Sequence, residues 1–370
     1  MKINYRQMCV LVFLSMIALK FLALPSLLYI HAKNMGFIVS FVIMTIDAIY
    51  AFLILSLMEK SQEKNIYEFM QKIIGKIGAK LVLVILLVQF ALIVADLSKG
   101  LEFFVVENLY NELNWTVFVI PLMILISFMV YKGVRNIARV GEIFCWFICL
   151  GILYIGLKSM SGIDLESFLP MFNDGVTPLF EAAWHHMMWF GSTSFLLVLF
   201  GKVDFTDKKK MKLFWTLTIA ILLVHFMYLV FYGLFQVTSG IHNFMISDIS
   251  QFSTEHSSID ELSWLVVSLW IVAQAIQLAL YAYCMKQCIK FIFNLRNNTI
   301  PIATIIIYLL LWSLAGENSV SLEKTFYSPY MSIVTIVSQY IIPLILFVAY
   351  HLRKKLRTQG GRHEEAKVSI

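Results

Sequence analysis

Long apolar stretches recur along the chain, and short polar segments separate them. A membrane-spanning helix needs about 20 mainly apolar residues. Segments that reach or nearly reach this length are 8–30, 36–58, 81–104, 115–131, 142–158, 180–200, 214–236, 262–285, 300–314 and 330–352. The ninth is short, and polar residues interrupt the fifth and the sixth. The pattern predicts an all-α membrane protein with ten transmembrane helices, which we number as spans 1 to 10.

The polar segments add one predicted surface element and a tail. Residues 65–76 carry apolar side chains at helical spacing, which predicts a short amphipathic helix lying on the membrane surface. We expect one transmembrane domain over residues 1–352, with halves of about 1–158 and 170–352. A polar cytoplasmic tail over 353–370 follows it.

Composition and charge agree with a membrane protein and give it an orientation. Hydrophobic residues make up 60% of the chain and charged residues 14%, whereas a soluble domain has about 25% charged residues. With the N-terminus placed inside, 24 of the 29 Lys and Arg residues fall in inside segments and four fall in outside loops. Short cytoplasmic loops carry such an excess, so both ends are predicted to be cytoplasmic. The net charge of +6 then reflects topology, and we expect no nucleic-acid partner.

The sequence lacks the motifs of common enzyme classes. It has no Gly-rich phosphate loop, no His-Glu-x-x-His and no nucleophile elbow. The five cysteines lie in or near apolar spans, and no His or carboxylate completes them at zinc-site spacing. We therefore expect no enzyme activity, no cofactor and no metal.

Charged residues inside a span are costly, so they are the first candidates for function. Lys20 lies near the middle of span 1, and Asp47 lies at the middle of span 2. A short loop joins the two spans, so the charges should meet at similar depth as an intramembrane ion pair. The pair could stand beside a substrate or coupling-ion site, or it could only fix helix packing.

Other polar residues in the spans allow both a binding and a packing interpretation. Asp96, in the outer half of span 3, could face an outer vestibule or reach the interface. His185, beside Trp189 in span 6, could bind a ligand or belong to the interfacial aromatic belt. Gln274 in span 8 could contact a ligand or bridge helices.

Helix-breaking residues occur at matching places in the two halves. Pro25 follows Lys20 in span 1, and Gly191 with Ser192 and Thr193 interrupts span 6. Five spans per half would make the second half an inverted repeat of the first. In transporters built this way, discontinuous helices expose backbone groups to a site near the bilayer midplane. We therefore predict a transporter-like 5+5 inverted repeat with discontinuous helices 1 and 6, although Pro and Gly are also common in ordinary membrane helices.

Several short motifs, in order and on the right spans, resemble one known family. They are Tyr5-Arg6-Gln7 with Leu22-Ala23-Leu24-Pro25, Tyr67-Glu68 with Ile74-Gly75-Lys76-Ile77-Gly78, Gly133 to Arg139 with Glu142, Leu169-Pro170-Met171-Phe172 with Gly175, and Ser268-Leu269-Trp270. This set resembles the spore germination permease family, the B subunits of nutrient germinant receptors. That family is similar to the amino acid–polyamine–organocation transporters.

The chain also departs from the pattern of that family. Ala18, Leu19 and Lys20 stand where members tend to have small Gly or Thr residues. Arg135 replaces the usual acid of the motif before span 5, and Ser192 replaces a Glu expected after Gly191. Asp260-Glu261 stands in place of a Glu-Arg pair. Ligand chemistry could therefore differ from that of typical members.

The resemblance implies a multi-pass subunit of a nutrient-germinant receptor in a bacterial spore inner membrane. A small molecule, plausibly an amino acid, would bind at a midplane site, and companion A and C subunits would receive the signal. The ligand-binding residues would be Ala18, Leu19, Lys20, Phe21, Asp96, His185, Trp189, Gly191 and Gln274. Pro25, Arg139 and Glu142 would be structural, the last two as a pair at the inner boundary. The alternatives are a proton-coupled amino acid transporter and a structural membrane subunit without a ligand.

Overall fold

The computed structural model describes residues 2–61, 63–108, 115–164, 166–168, 172, 175–205, 210–255, 261–314 and 329–353, and these are almost entirely helical. The helices are α1 (Tyr5–Ala18), α2 (Leu24–Ala32), α3 (Gly36–Ser61), α4 (Ile66–Asn108), α5 (Trp115–Lys132), α6 (Val134–Lys158), α7 (Thr177–His186), α8 (Phe195–Val198), α9 (Lys210–Phe235), α10 (Met245–Glu255), α11 (Glu261–Phe293), α12 (Thr299–Leu314) and α13 (Pro329–Ile336). A π-helical segment, Val337–Ile341, follows α13, and the helix then continues over 342–353. The predicted tail after Arg353 lies outside the described residues.

Within the described ranges, six helical stretches are long and apolar enough to cross a membrane. They are Leu24–Ser61, Ile66–Val106, Val134–Gly162, Met211–Ile241, Leu265–Phe293 and Met331–Arg353. Two shorter apolar helices, Val117–Lys132 and Thr299–Ser313, coincide with predicted spans 4 and 9. The segments predicted as spans 1 and 6 are helices interrupted near their middle. The chain is thus an all-helical, multi-pass membrane protein.

Span 1 is interrupted between α1 and α2. A 3₁₀ turn, Leu19–Phe21, follows α1, and Leu22 then leaves helical geometry at φ −79°, ψ −131°. Pro25 stands in the first turn of α2, where its missing N–H leaves no helical hydrogen bond unmade. The turn forms without any glycine, since none lies between residues 18 and 25.

Span 6 is interrupted more extensively. After α7 the chain forms the 3₁₀ segment Met187–Phe190, then the irregular turn that includes Gly191, and then the short α8. It ends at Gly201, which has φ +71°. Only glycine adopts this region freely, so the chain can turn sharply there.

A two-residue parallel sheet joins the ends of the interrupted spans. β1 (Ile3–Asn4) pairs with β2 (Val203–Asp204), with Ile3 opposite Val203. We call the end of the bundle that holds this sheet the N-terminal face. The segment 66–74 lies at the same face, where Phe69 packs on Phe200 and on Tyr350. It ends at a kink at Gly75, which has φ +80°.

The centre of the bundle is α11. In its most apolar 18 residues 72% are buried, against 28% for α6. It packs against α4, α6 and α1, so it is a neighbour of the helix that precedes the interruption of span 1. The exposed side of α6 carries large apolar residues such as Trp146 and Leu150, as expected for a helix in contact with lipid.

Candidate functional site

Lys20 lies at the point where the two interrupted spans meet. Its side chain is fully buried, and its ammonium group donates a hydrogen bond of 2.7 Å to the hydroxyl of Ser192. The ammonium also stands 5.5 Å from the centre of the Phe190 ring. The turn of span 1 is therefore tied to the turn of span 6 through one charged side chain.

Asp47 on α3 is the acidic group of this region and is also fully buried. Its Oδ1 accepts hydrogen bonds from the hydroxyl of Tyr340 at 2.5 Å and from Nε2 of Gln339 at 3.5 Å. Its Oδ2 has no hydrogen-bond partner. The carboxylate is therefore only half satisfied by its neighbours.

Ser192 lies between the two charges. It accepts from Lys20 and donates 3.2 Å to the carbonyl oxygen of Phe190, and its side chain lies close to the Asp47 carboxylate. Lys20 and Asp47 attract each other, but the salt bridges among the described residues do not include a direct one between them. The expected ion pair thus stays a prediction, and Ser192 is the common neighbour of the two buried charges. The network of Lys20, Asp47, Ser192, Thr193, Gln339 and Tyr340 is called the mid-membrane network below.

The π-helical segment Val337–Ile341 supplies two members of this network. π-Helical turns occur mostly as short insertions in α-helices, often at functional sites. Here Gln339 donates to the hydroxyl of Thr193 in the span 6 turn, while Tyr340 donates to Asp47. The sequence pattern did not single out Gln339 or Tyr340. An uncharged polar pair in an otherwise apolar helix was the signal that could have found them.

Side chains of α9 and α11 hold the backbone of both turns. Tyr228 donates 2.9 Å to the carbonyl oxygen of Lys20, and Gln274 donates 2.7 Å to that of Ala18. Tyr281 donates 3.1 Å to the carbonyl oxygen of Ser192. Carbonyl groups freed by an interrupted helix must find partners in the membrane interior. The turns are therefore fixed parts of the fold.

Gly191 allows close packing on the other side of the span 6 turn. A Cβ atom there would stand 2.6 Å from Nε2 of Gln89 on α4 and 2.9 Å from Cγ2 of Thr335 on α13. Gln89 is buried, and neither end of its amide has a hydrogen-bond partner. An unpaired amide group in a membrane interior is costly. The Gln89 amide is therefore an unsatisfied polar group next to the turn of span 6.

Comparison with known proteins identifies the family. A family described as spore germination proteins, the spore permeases, matches residues 2–320. The chain belongs to this family. No curated protein matches the chain.

Solved structures show which fold this spore permease adopts. One match is a Na⁺-coupled sialic acid symporter in a substrate-bound, outward-open state, with a TM-score of 0.62. The match covers 92% of the spore permease and 78% of the symporter chain, at 12% sequence identity. At that identity the likeness concerns the fold alone, and it gives the spore permease a transporter fold.

The structure places six of the nine residues expected to bind a ligand at or beside the two turns. Leu19 and Lys20 form the turn of span 1, and Gly191 lies in the turn of span 6. Ala18 and Gln274 are joined by the hydrogen bond given above. Phe21 lies on the same turn, and its ring packs 5.5 Å from that of Trp270.

The other expected ligand residues are not members of the mid-membrane network. His185 stacks on His31 with ring centres 5.0 Å apart, and Nε2 of His186 lies 3.1 Å from Nδ1 of His31. Asp96 is half-buried on α4, seven residues beyond Gln89 and towards the end opposite the N-terminal face. Trp189 is buried in the 3₁₀ segment of span 6.

Among the residues expected to be structural, Glu142 has an ionic partner different from the one anticipated. Pro25 starts α2, and its carbonyl oxygen accepts 2.8 Å from Tyr232. Glu142 forms a salt bridge of 3.3 Å with Arg6 and accepts 2.9 Å from Gln7. Arg139 is exposed on the same helix. Glu142 therefore ties α6 to the start of α1, and its ionic partner is Arg6 in place of Arg139.

Proposed function

We propose that this spore permease is the membrane subunit of a nutrient-germinant receptor and binds a small molecule, plausibly an amino acid, between its interrupted helices. The observation that carries the proposal is the meeting of two unwound turns at Lys20 and Ser192. The fold, shared with a symporter, and the membership in a spore germination family support it.

The proposal includes the topology expected from the sequence. The chain crosses the bilayer ten times as two inverted halves of five spans, over about 1–158 and 170–352. The N-terminal face is cytoplasmic, as the excess of Lys and Arg in those segments supports. The membrane is the spore inner membrane, and companion A and C subunits receive the signal.

Binding changes the state of the receptor only through a difference in affinity between two conformations. The ligand would lie against the turns at Ala18 to Phe21 and at Gly191. The carbonyl groups of Ala18 and Lys20 are held by Gln274 and Tyr228, so a ligand meets a preformed surface there. Movement of either turn would pull on β1 and β2, since these strands connect the two spans at the N-terminal face.

The test is a thermal-unfolding screen of the purified protein against amino acids and sugars. A stabilising compound is then tested on two variants, Gln274→Met and Gln277→Met. Gln274 bonds to Ala18 beside the turn, whereas Gln277 bonds to Ser15 within α1 at 3.2 Å. We expect the first variant to lose most of the stabilisation and the second to keep it.

Two outcomes would favour the alternatives. Accumulation of the compound in proteoliposomes, abolished by a proton leak, would indicate a proton-coupled transporter. No stabilisation by any compound would indicate a structural subunit without a ligand. Equal loss of stabilisation in both glutamine variants would place the ligand elsewhere in the bundle.

A further inference from the structure

The ammonium group of Lys20 is surrounded by few acceptors for its own hydrogens. A lysine ammonium has three N–H donors. One is used by Ser192, and the ring of Phe190 faces the group at 5.5 Å. The nearby charge is that of Asp47, to which the ammonium is attracted.

The same region holds oxygen atoms that lack donors. Oδ2 of Asp47 and Oε1 of Gln339 are buried without a hydrogen-bond partner, and both side chains are fully buried. The Ser192 hydroxyl is a third oxygen close to both charges. One carboxylate and several neutral oxygens are the ligands that small hard cations prefer. Without Lys20, this cluster would hold an uncompensated negative charge inside the membrane.

We propose that Lys20 is a tethered cation, whose ammonium group on Ser192 takes the place of an exchangeable monovalent cation in a site between Ser192 and Asp47. The site is permanently occupied by a group of the chain itself, so the conformation of the two turns does not depend on sodium or another exchangeable cation. This inference does not depend on which small molecule the receptor binds or on whether anything is transported.

Emptying the site gives a direct test. Lys20→Ala removes four heavy atoms and the charge, which leaves room beside Asp47 for ammonium, methylammonium or sodium. Thermal unfolding of the purified protein is followed by tryptophan fluorescence in chloride salts of these cations and of choline, at constant ionic strength and mildly alkaline pH. The melting temperature of Lys20→Ala should rise with a small cation and saturate, because binding to the folded state stabilises it. The wild-type chain should give the same melting temperature in all four salts.

A matched control is available in a second buried lysine. The Lys286 ammonium donates 2.5 Å to the carbonyl oxygen of Val130, and no salt bridge joins it to an acid among the described residues. Lys286→Ala should lose stability but show no selective response to any cation. The double variant Lys20→Ala with Asp47→Asn should also lose the response, because the carboxylate is gone.

Two results would overturn the proposal. A folded Lys20→Ala protein that responds to no cation would show that no cation site lies beneath the lysine. A wild-type protein stabilised by sodium over choline would show that an exchangeable cation is still used. If Lys20→Ala does not fold, stabilisation of the wild-type protein by sodium over choline still overturns the proposal. If the screen of amino acids and sugars finds no stabilising compound, neither of these two results changes. The proposed function and the tethered-cation proposal can therefore be refuted independently.

Discussion

Gly201 closes the interrupted span 6 at the N-terminal face, and its replacement by alanine should be strongly destabilising. A Cβ atom at this position would stand 1.9 Å from the carbonyl oxygen of Lys64. Real Cβ contacts are essentially never closer than 3.0 Å. The backbone at Lys64 or at Gly201 must therefore move by about 1.1 Å, the difference between these two distances. That shift would separate span 6 from the segment that precedes the surface helix.

The expected loss of stability has two contributions, one from the backbone conformation and one from the clash. A substitution at a second glycine measures the first contribution alone. Alanine in a backbone conformation that favours glycine costs about 1–3 kcal/mol, and the clash adds about 1–3 kcal/mol, the usual cost of overpacking. Gly133 has φ +92° and ψ 174° with no atom within 4 Å of the position of its Cβ. Gly133→Ala should therefore cost only about 1–3 kcal/mol, from the backbone conformation alone.

The assay is thermal or denaturant unfolding of both variants in the same detergent. We expect Gly201→Ala to be the less stable by about 1–3 kcal/mol, which is the clash contribution. Equal stabilities of the two variants would refute the reasoning, because they would mean that Lys64 does not approach Gly201 closely.

The mid-membrane network and the two turns beside it yield three further predictions, each measured by unfolding of the purified protein. Lys20→Met should destabilise the protein by about 3–5 kcal/mol, because it leaves the buried Asp47 without a counter-charge. Adding Asp47→Asn should recover part of the lost stability. A double variant no more stable than the single one would mean that the two charges do not interact. Tyr228→Phe should cost about 1 kcal/mol for the lost hydrogen bond to Lys20, and no change would argue against that bond. Gly191→Ala should cost about 1–3 kcal/mol because its Cβ meets Gln89, and an unchanged stability would exclude that contact.

The sequence predicted the helical segments well, because the length of an apolar stretch decides where a membrane helix lies. The interruptions of spans 1 and 6 were also anticipated, from Pro25 and from Gly191 with its neighbours. These signals are local, so they can be seen in one chain without knowledge of the packing.

The contacts between helices were harder to foresee. Helices such as α9 and α11 are apolar on all sides, so hydropathy does not show which face meets which neighbour. The hydrogen bond from Lys20 to Ser192 could not be seen in the sequence, and the ion pair with Asp47 stays a prediction. The stacking of His185 on His31 could not be seen either, and the expected ligand role of His185 stays a prediction. Gln339 reaches Thr193 from a π-helical segment, whose register depends on tertiary packing.

The hydrogen bond between Lys20 and Ser192 also constrains how the chain assembles as it leaves the ribosome. Ser192 is made 172 residues after Lys20, when the long helices α3, α4, α5 and α6 have already been synthesised. Asp47 is made much earlier, on α3, so it is the first counter-charge that Lys20 can meet. The hydrogen bond from the ammonium to Ser192 therefore forms late in biogenesis, once the interrupted span 6 has been made.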